Sequence, residues 1–370
     1  MVLSRPHLHS YGANGNVSSA IVRDMHDKNH LRARCLLGVV AALILSRSAA
    51  AQQPPPPGRL VDIGGWRIHL NCTGDNKRNS PTVVLESGSG DFSFDWSLVQ
   101  PGVSRLTRVC SYDRAGNAWS DLGPRPRTMK QIAYELHTAL IKAGIKAPYV
   151  LAGQSVGGLL VRTFASQYSK EVAGIVLVDS THEDTQLFMN GKIQRMRELS
   201  QGRTIPSIQT AISTADKAIS ADEKRQTDEL LKQIGPPKIE PPFNRLPPDI
   251  QQTRLWALAQ PNHYVADSDP YWAEEFAEIY DARKTHQYPL GDIPLIVLTR
   301  GKSEYPDAET GKQLNEERKR MQSDLLHLSQ NSKQVIAETS GHHVQIDAPE
   351  VVIDSIRRVV DAAVQRTRQR

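Results

Sequence analysis

The sequence predicts an α/β fold built on a mostly parallel sheet, with helices on both faces and a helical cap inserted after the sixth strand. Three observations carry this. Short apolar runs alternate with segments of helical periodicity, the pattern of a parallel sheet covered by its own crossovers. One run ends at a lone serine among glycines, in "YVLAGQSVGG", Tyr149 to Gly158. A polar, proline-bearing stretch from about Glu183 to about Gly291 then breaks the rhythm before strands resume.

The elements follow in chain order. "RLVDIGGWRIHLNC", Arg59 to Cys72, reads as two short strands around Gly64-Gly65, a hairpin signal. "PTVVLESG" from Pro81 and "TRVCSYDR" from Thr107 are buried strands. "MKQIAYELHTALIKAG", Met129 to Gly144, has helical spacing and stops at a glycine. "YVLAGQS" is a strand, "VGGLLVRTFASQYS" a helix, and "VAGIVLVDS", Val172 to Ser180, the sixth strand. The interruption carries "GPPKIEPPFNRLPPD" and "DPYWAEEFAEIYDARK" and reads as mostly helical. Inserted there, it covers the C-terminal edge of the sheet, where such folds bind ligands. "PLIVLTRG", "KQVIAETSG" and the amphipathic "PEVVIDSIRRVVDAAVQR" close the chain. The organisation is therefore a leader at 1–51, a proline-rich linker at 52–58, a first core segment at 59–182, the cap at 183–291 and a second core segment at 292–370.

The formal charge of +5 is mostly a property of the leader. Six of the 45 Lys/Arg and two of the 40 Asp/Glu lie in residues 1–51, which leaves 39 against 38. That balance gives no nucleic-acid surface. "HDKNHLRAR", the apolar "CLLGVVAALIL" (Cys35 to Leu45) and the small-residue "SRSAAAQQ" have the order of a secretory signal peptide. The apolar run is too short for a comfortable membrane span. Counting from Met25 gives a leader of usual length, so residues 1–24 are not expected to be translated. The expected location is secreted or periplasmic, with cleavage near Ala51 and no stable membrane span in the mature form.

The serine has a chemical reading. Strand before and helix after place Ser155 on a sharp turn that lifts its hydroxyl clear of the sheet, and the flanking glycines permit the close backbone contacts. The Val156 N–H then lies at a helix N-terminus, where it can stabilise negative charge. Serine needs a base. "TSGHHVQIDAPE" supplies His342 on a strand-to-helix loop, with His343 as a competitor. "THED", Thr181 to Asp184, makes a poor metal site because its ligands are adjacent and of mixed type.

These motifs together resemble the α/β-hydrolase superfamily in its capped, esterase-like branch: "ESGSGDFSFDW", "SYDRAGNAWSD", "GQSVGG", "VLVDS" and "SGHHVQIDAPE", over roughly Arg59 to Arg366. The resemblance implies Ser155 as nucleophile and His342 as base, with oxyanion donors on the backbone of Ser89 and Val156. Ser87 stands where the family often has histidine. Tyr112, Asp113 and Arg114 are implied to organise loops near the site. The orienting acid is implied after the sixth strand, at Asp179, or after the seventh, at Glu304 or the more distant Asp307; Asp179 is the preferred assignment. A serine in place of a carboxylate nucleophile argues against epoxide hydrolase and haloalkane dehalogenase chemistry. It favours ester cleavage through an acyl-enzyme, with no cofactor and no metal. The implied partner is a small ester with an apolar part, for which Trp256, Tyr271, Trp272 and Phe276 would line a pocket or form cap core. The resemblance also makes the strands of Cys72 and Cys110 neighbours, so that an oxidising compartment would let the two pair. A noncatalytic binding protein, or an amide hydrolase or perhydrolase on the same triad, are the competing readings. N-terminal sequencing of exported material is expected to begin near Gln52; a mature chain that keeps Cys35 to Leu45 would overturn the leader.

Overall fold

The computed structural model describes residues 53–369, apart from 76–79, 190, 215–216, 267–269 and 306–308. The expected leader and Asp307 lie outside the described residues. The strands are β1 (Arg59–Asp62), β2 (Arg67–Thr73), β3 (Thr82–Glu86), β4 (Val109–Tyr112), β5 (Tyr149–Gln154), β6 (Val172–Val178), β7 (Gln186–Met189), β8 (Lys192–Arg195), β9 (Leu295–Arg300) and β10 (Ser332–Ala337). The helices are α1 (Gln100–Ser104), α2 (Met129–Lys142), α3 (Gly157–Gln167), α4 (Ala221–Ile234), α5 (Pro248–Leu258), α6 (Pro261–Ala266), α7 (Trp272–Thr285), α8 (Glu309–Asp324), α9 (Val344–Asp347) and α10 (Pro349–Gln369).

Eight strands form one sheet in the order β1-β2-β4-β3-β5-β6-β9-β10. Strand β2 runs antiparallel to both its neighbours, and β4 to β10 pair in parallel through β3. The central strands β3, β5, β6 and β9 are continuous apolar runs because both their faces are covered. One face packs Leu136, Leu140 and Phe164 of α2 and α3 against Leu151 and Leu177. The other packs Val103 of α1 and Val352, Ile356 and Val359 of α10 against Val150 and Val176. The mostly parallel sheet with helices on both faces is thus as the sequence predicts.

The insertion follows β6 and contains α4 to α7, with one departure from the expected helical cap. It opens with an antiparallel hairpin, β7 and β8. The segments "QLFM" and "KIQR" are only four residues each, too short to announce a strand by alternation. Helix α8 was not foreseen either. It buries only Gly311, Leu314, Met321 and Gln322 and is otherwise polar or charged, so it has little apolar stripe to read. Among the described residues, no helix is long and apolar enough to cross a membrane.

Cys72 and Cys110 face each other across β2 and β4 and form a disulfide, with Cα atoms 4.0 Å apart. Alkylation of the unreduced mature protein should therefore label neither cysteine; two alkylated thiols by mass spectrometry would show the bond absent.

Candidate active site

Strand β5 delivers Ser155 to the C-terminal edge of the sheet. The Ser155 backbone is left-handed, with φ 53°. A non-glycine residue there is strained and needs its surroundings to hold it. The holding bonds are Ser155 N–H to the Val178 carbonyl, 3.1 Å, and Thr181 N–H to the Ser155 carbonyl, 2.9 Å. Gly157 is required at the turn: a Cβ there would lie 2.6 Å from the Glu86 carbonyl oxygen. The neighbouring Gly158 sits against the Ser180 side chain in the same way.

His342 lies on the loop between β10 and α9. Its Nδ1 is 2.7 Å from Asp179 Oδ2. Asp179 directly follows β6, is 3 % exposed and has φ 40°. Burial alone would push its carboxyl up. The Arg300 guanidinium, the hydrogen bond from His342 and the Arg318 guanidinium outweigh burial and hold it down, to about 2. The ionised carboxylate can only accept, so the imidazole Nδ1 carries the proton and Nε2 is left as the basic nitrogen. Asp179 also accepts from Arg300 N–H at 3.2 Å, Arg300 Nη1 at 3.1 Å and Arg318 Nη1 at 3.1 Å.

Glu304, the alternative acid, also reaches this loop but by another route. Its Oε1 accepts the His342 backbone N–H at 2.5 Å, and its Oε2 accepts from Arg300 at 3.1 Å. It holds the main chain of His342, and Asp179 holds the ring. Gln154, one residue before the serine, donates from Nε2 to the His342 carbonyl at 3.3 Å. The base loop is therefore tied to the serine turn directly.

The loop after β3 carries Ser89. Arg114 clamps it, donating to the Ser87 carbonyl at 2.8 Å, the Gly88 carbonyl at 2.6 Å and Glu86 Oε1 at 2.9 Å. Asp113 accepts the Ser93 N–H at 2.8 Å, while Tyr112 donates to Glu86. The "SYDR" motif thus braces the loop from beneath. Ser89 and Val156 line one cavity of about 30 Å³, walled by Met129, Ile132, Leu160 and Trp272. Among the described residues the Val156 backbone N–H has no acceptor.

The remaining candidates separate. His343 turns away from Asp179; its Nε2 lies 3.4 Å from Asp91 Oδ2. Trp256 is buried with Phe92, Phe94 and Trp119, and Phe276 with Leu159 and Leu160. Both are cap-to-core packing. Trp272 alone of the four aromatics reaches the cavity, and Tyr271 sits under the Arg203 guanidinium. In "THED", Glu183 accepts from Arg162 at 2.7 Å and from Arg283 at 2.6 Å, and Asp184 from Arg197 at 2.6 Å. Among the described residues, no group of three or more His, Cys, Asp or Glu could hold a metal ion. Sequence reasoning missed Gln154, Arg300 and Arg318. Arg300 ends an apolar strand beside a predicted acid, which was a usable signal; Arg318 sits within the polar α8 and gave none.

The model of the alpha/beta hydrolase fold family matches residues 81–349. A thermophilic esterase from Thermogutta terrifontis superposes with a TM-score of 0.55 at 21 % identity, over 82 % of this chain and 99 % of that one. An AB hydrolase superfamily protein from Gibberella zeae is 23 % identical over 294 residues, 76 % of this chain and 86 % of its own length. A Hormonema carpetanum protein named "Probable transporter efuK" is 34 % identical over 131 residues, 34 % of this chain and 19 % of that protein. Across this and three further curated relatives, from Schizosaccharomyces pombe and Saccharomyces cerevisiae, the chain spans only 19 % to 28 % of their length. The strand order, the strained serine turn and the match across both sides of the insertion agree: the chain belongs to the alpha/beta hydrolase family.

Proposed function

We propose that this protein is an exported serine hydrolase that cleaves a small carboxylic ester. The single observation that carries the reading is the 2.7 Å bond between His342 Nδ1 and the buried Asp179, on a loop that Gln154 ties to the serine turn. In this reading His342 Nε2 takes the proton of Ser155 Oγ as the oxygen attacks the ester carbonyl. The oxyanion is held by the N–H groups of Ser89 and Val156. Collapse of the tetrahedral intermediate breaks the C–O bond, and the imidazolium returns the proton to the departing alkoxide. Water, activated by the same nitrogen, then releases the acid and frees Ser155. A fluorophosphonate probe tests this: labelling should vanish in Ser155→Ala, and absence of wild-type labelling would favour a noncatalytic binding protein.

The disulfide supports export, because such bonds persist in oxidising compartments. The cavity supports a short acyl group. Its volume is small, about 30 Å³, and the apolar side chains of Leu160 and Trp272 line it. Nitrophenyl acetate and butyrate should turn over at least about tenfold faster than the dodecanoate, and Trp272→Ala should narrow that gap. A preference for the dodecanoate in the wild type would refute the short-acyl reading.

Asp179→Asn should fold and lose roughly 10³- to 10⁴-fold in kcat, because the ring loses its tautomer and its compensating charge. Glu304→Gln keeps an acceptor for the His342 N–H and should stay within about tenfold of wild type. If Glu304→Gln is instead the crippled variant at matched thermal stability, the acid follows the seventh strand of the sheet, β9.

A further inference from the structure

The segment Phe243–Arg254 of the cap touches both loops that the proposed chemistry needs. Toward the oxyanion side, Arg254 on α5 donates from Nη2 to Asp91 Oδ1 at 3.1 Å and from Nη1 to Asp95. Both aspartates belong to the loop that carries Ser89. Asp95 accepts the Phe92 N–H at 2.9 Å, and the Asp91 N–H donates to the Gly88 carbonyl at 3.3 Å. The Arg254 side chain is 7 % exposed, and those of Asp91 and Asp95 are 5 % and 1 % exposed. Its guanidinium lies 3.4 Å from the centroid of the Phe243 ring.

Toward the base side, the Phe243 ring meets the His343 imidazole edge-on at 4.7 Å. His343 in turn faces Asp91. Arg245 donates to Asp347 Oδ1 at 2.7 Å, and Asp347 Oδ2 accepts the N–H of Gly341, the residue before His342, at 2.8 Å. Two adjacent histidines thus have separate aspartates: His342 has Asp179, and His343 has Asp91. The second pair bridges the base loop to the oxyanion loop, and Arg254 completes it from the cap.

Two carboxylates buried within one short loop repel each other and are costly without a cation. The cation comes from a different part of the chain, so the bend of that loop depends on where the cap is. Burial and the neighbouring Asp91 push the Asp95 carboxyl up, to about 6, against the opposing pull of Arg254. We propose that Arg254 is a positioning residue that makes the shape of the oxyanion loop conditional on cap seating: the loop that carries Ser89 keeps its bend beside the cavity when Arg254 bridges Asp91 and Asp95. The inference rests on the ester-hydrolase reading. Substrate would enter with Arg254 withdrawn and react with it returned, so cap closure would assemble the site.

The test compares Arg254→Met and Arg254→Lys with the wild type in nitrophenyl acetate turnover, fluorophosphonate labelling rate and thermal unfolding. A lost oxyanion donor costs about 100-fold or more in rate. Arg254→Met should therefore lose about 100-fold in kcat with KM nearly unchanged, and its labelling rate should fall in parallel. Arg254→Lys keeps the charge but not the two-pronged bridge and should recover part of the loss. If Arg254→Met does not fold, Arg254→Lys decides: a folded lysine variant with wild-type kcat overturns the proposal, and a lowered kcat at wild-type KM supports it. Labelled wild type with an unaffected Arg254→Met removes this proposal and leaves the ester-hydrolase reading standing. Wild type that is not labelled removes both.

Discussion

The parallel register of β5, β6 and β9 is the constraint on which the candidate site depends. Val178 pairs with Gln154 on one side and Leu298 on the other, so β5 and β6 finish level while β9 runs on to Arg300. The residues that follow are then side by side without any long side chain having to search for its partner. Asp179 donates its N–H to the Leu298 carbonyl at 2.7 Å, and Ser155 donates to the Val178 carbonyl. Both residues are forced into positive φ as the chain leaves the sheet. A slip of one residue in β6 would turn Asp179 to the opposite face and remove it from the imidazole.

Charge, more than apolar contact, marks the surroundings of this edge. Buried guanidinium groups meet buried carboxylates at Arg114–Glu86, Arg127–Glu135, Arg162–Glu183, Arg254–Asp95 and Arg300–Asp179. Such pairs add little net stability over a well-packed apolar contact, but removing one partner costs about 3–5 kcal/mol. They therefore specify geometry: a loop carbonyl or carboxylate must be where its arginine is. Arg114 uses that property on the carbonyls of Ser87 and Gly88, and Arg300 and Arg318 use it on Asp179.

Much of this was legible in the sequence, for physical reasons that differ by element. β3, β5, β6 and β9 could be read because strands covered on both faces must be apolar throughout. Ser155 and His342 could be read because the turn that presents each is built from neighbours in the chain. The choice between Asp179 and Glu304 could not be settled that way. Each is a carboxylate just past a strand, and only the three-dimensional placement of one loop against another gives Asp179 the ring and Glu304 the backbone amide. Arg318 was invisible for the same reason, since it reaches Asp179 from 139 residues away in sequence. The hairpin β7–β8 and helix α8 lack the apolar periodicity that a single sequence displays.

The disulfide between β2 and β4 closes a separation of 38 residues. A crosslink of that span is worth about 4 kcal/mol through the unfolded chain alone. Whole domains have only about 5–15 kcal/mol to lose. The folded state of this chain is thus conditional on redox surroundings. With the bond reduced the same sequence stands nearer the edge of unfolding, and with it closed the strands β2 and β4 are held together in the durable form.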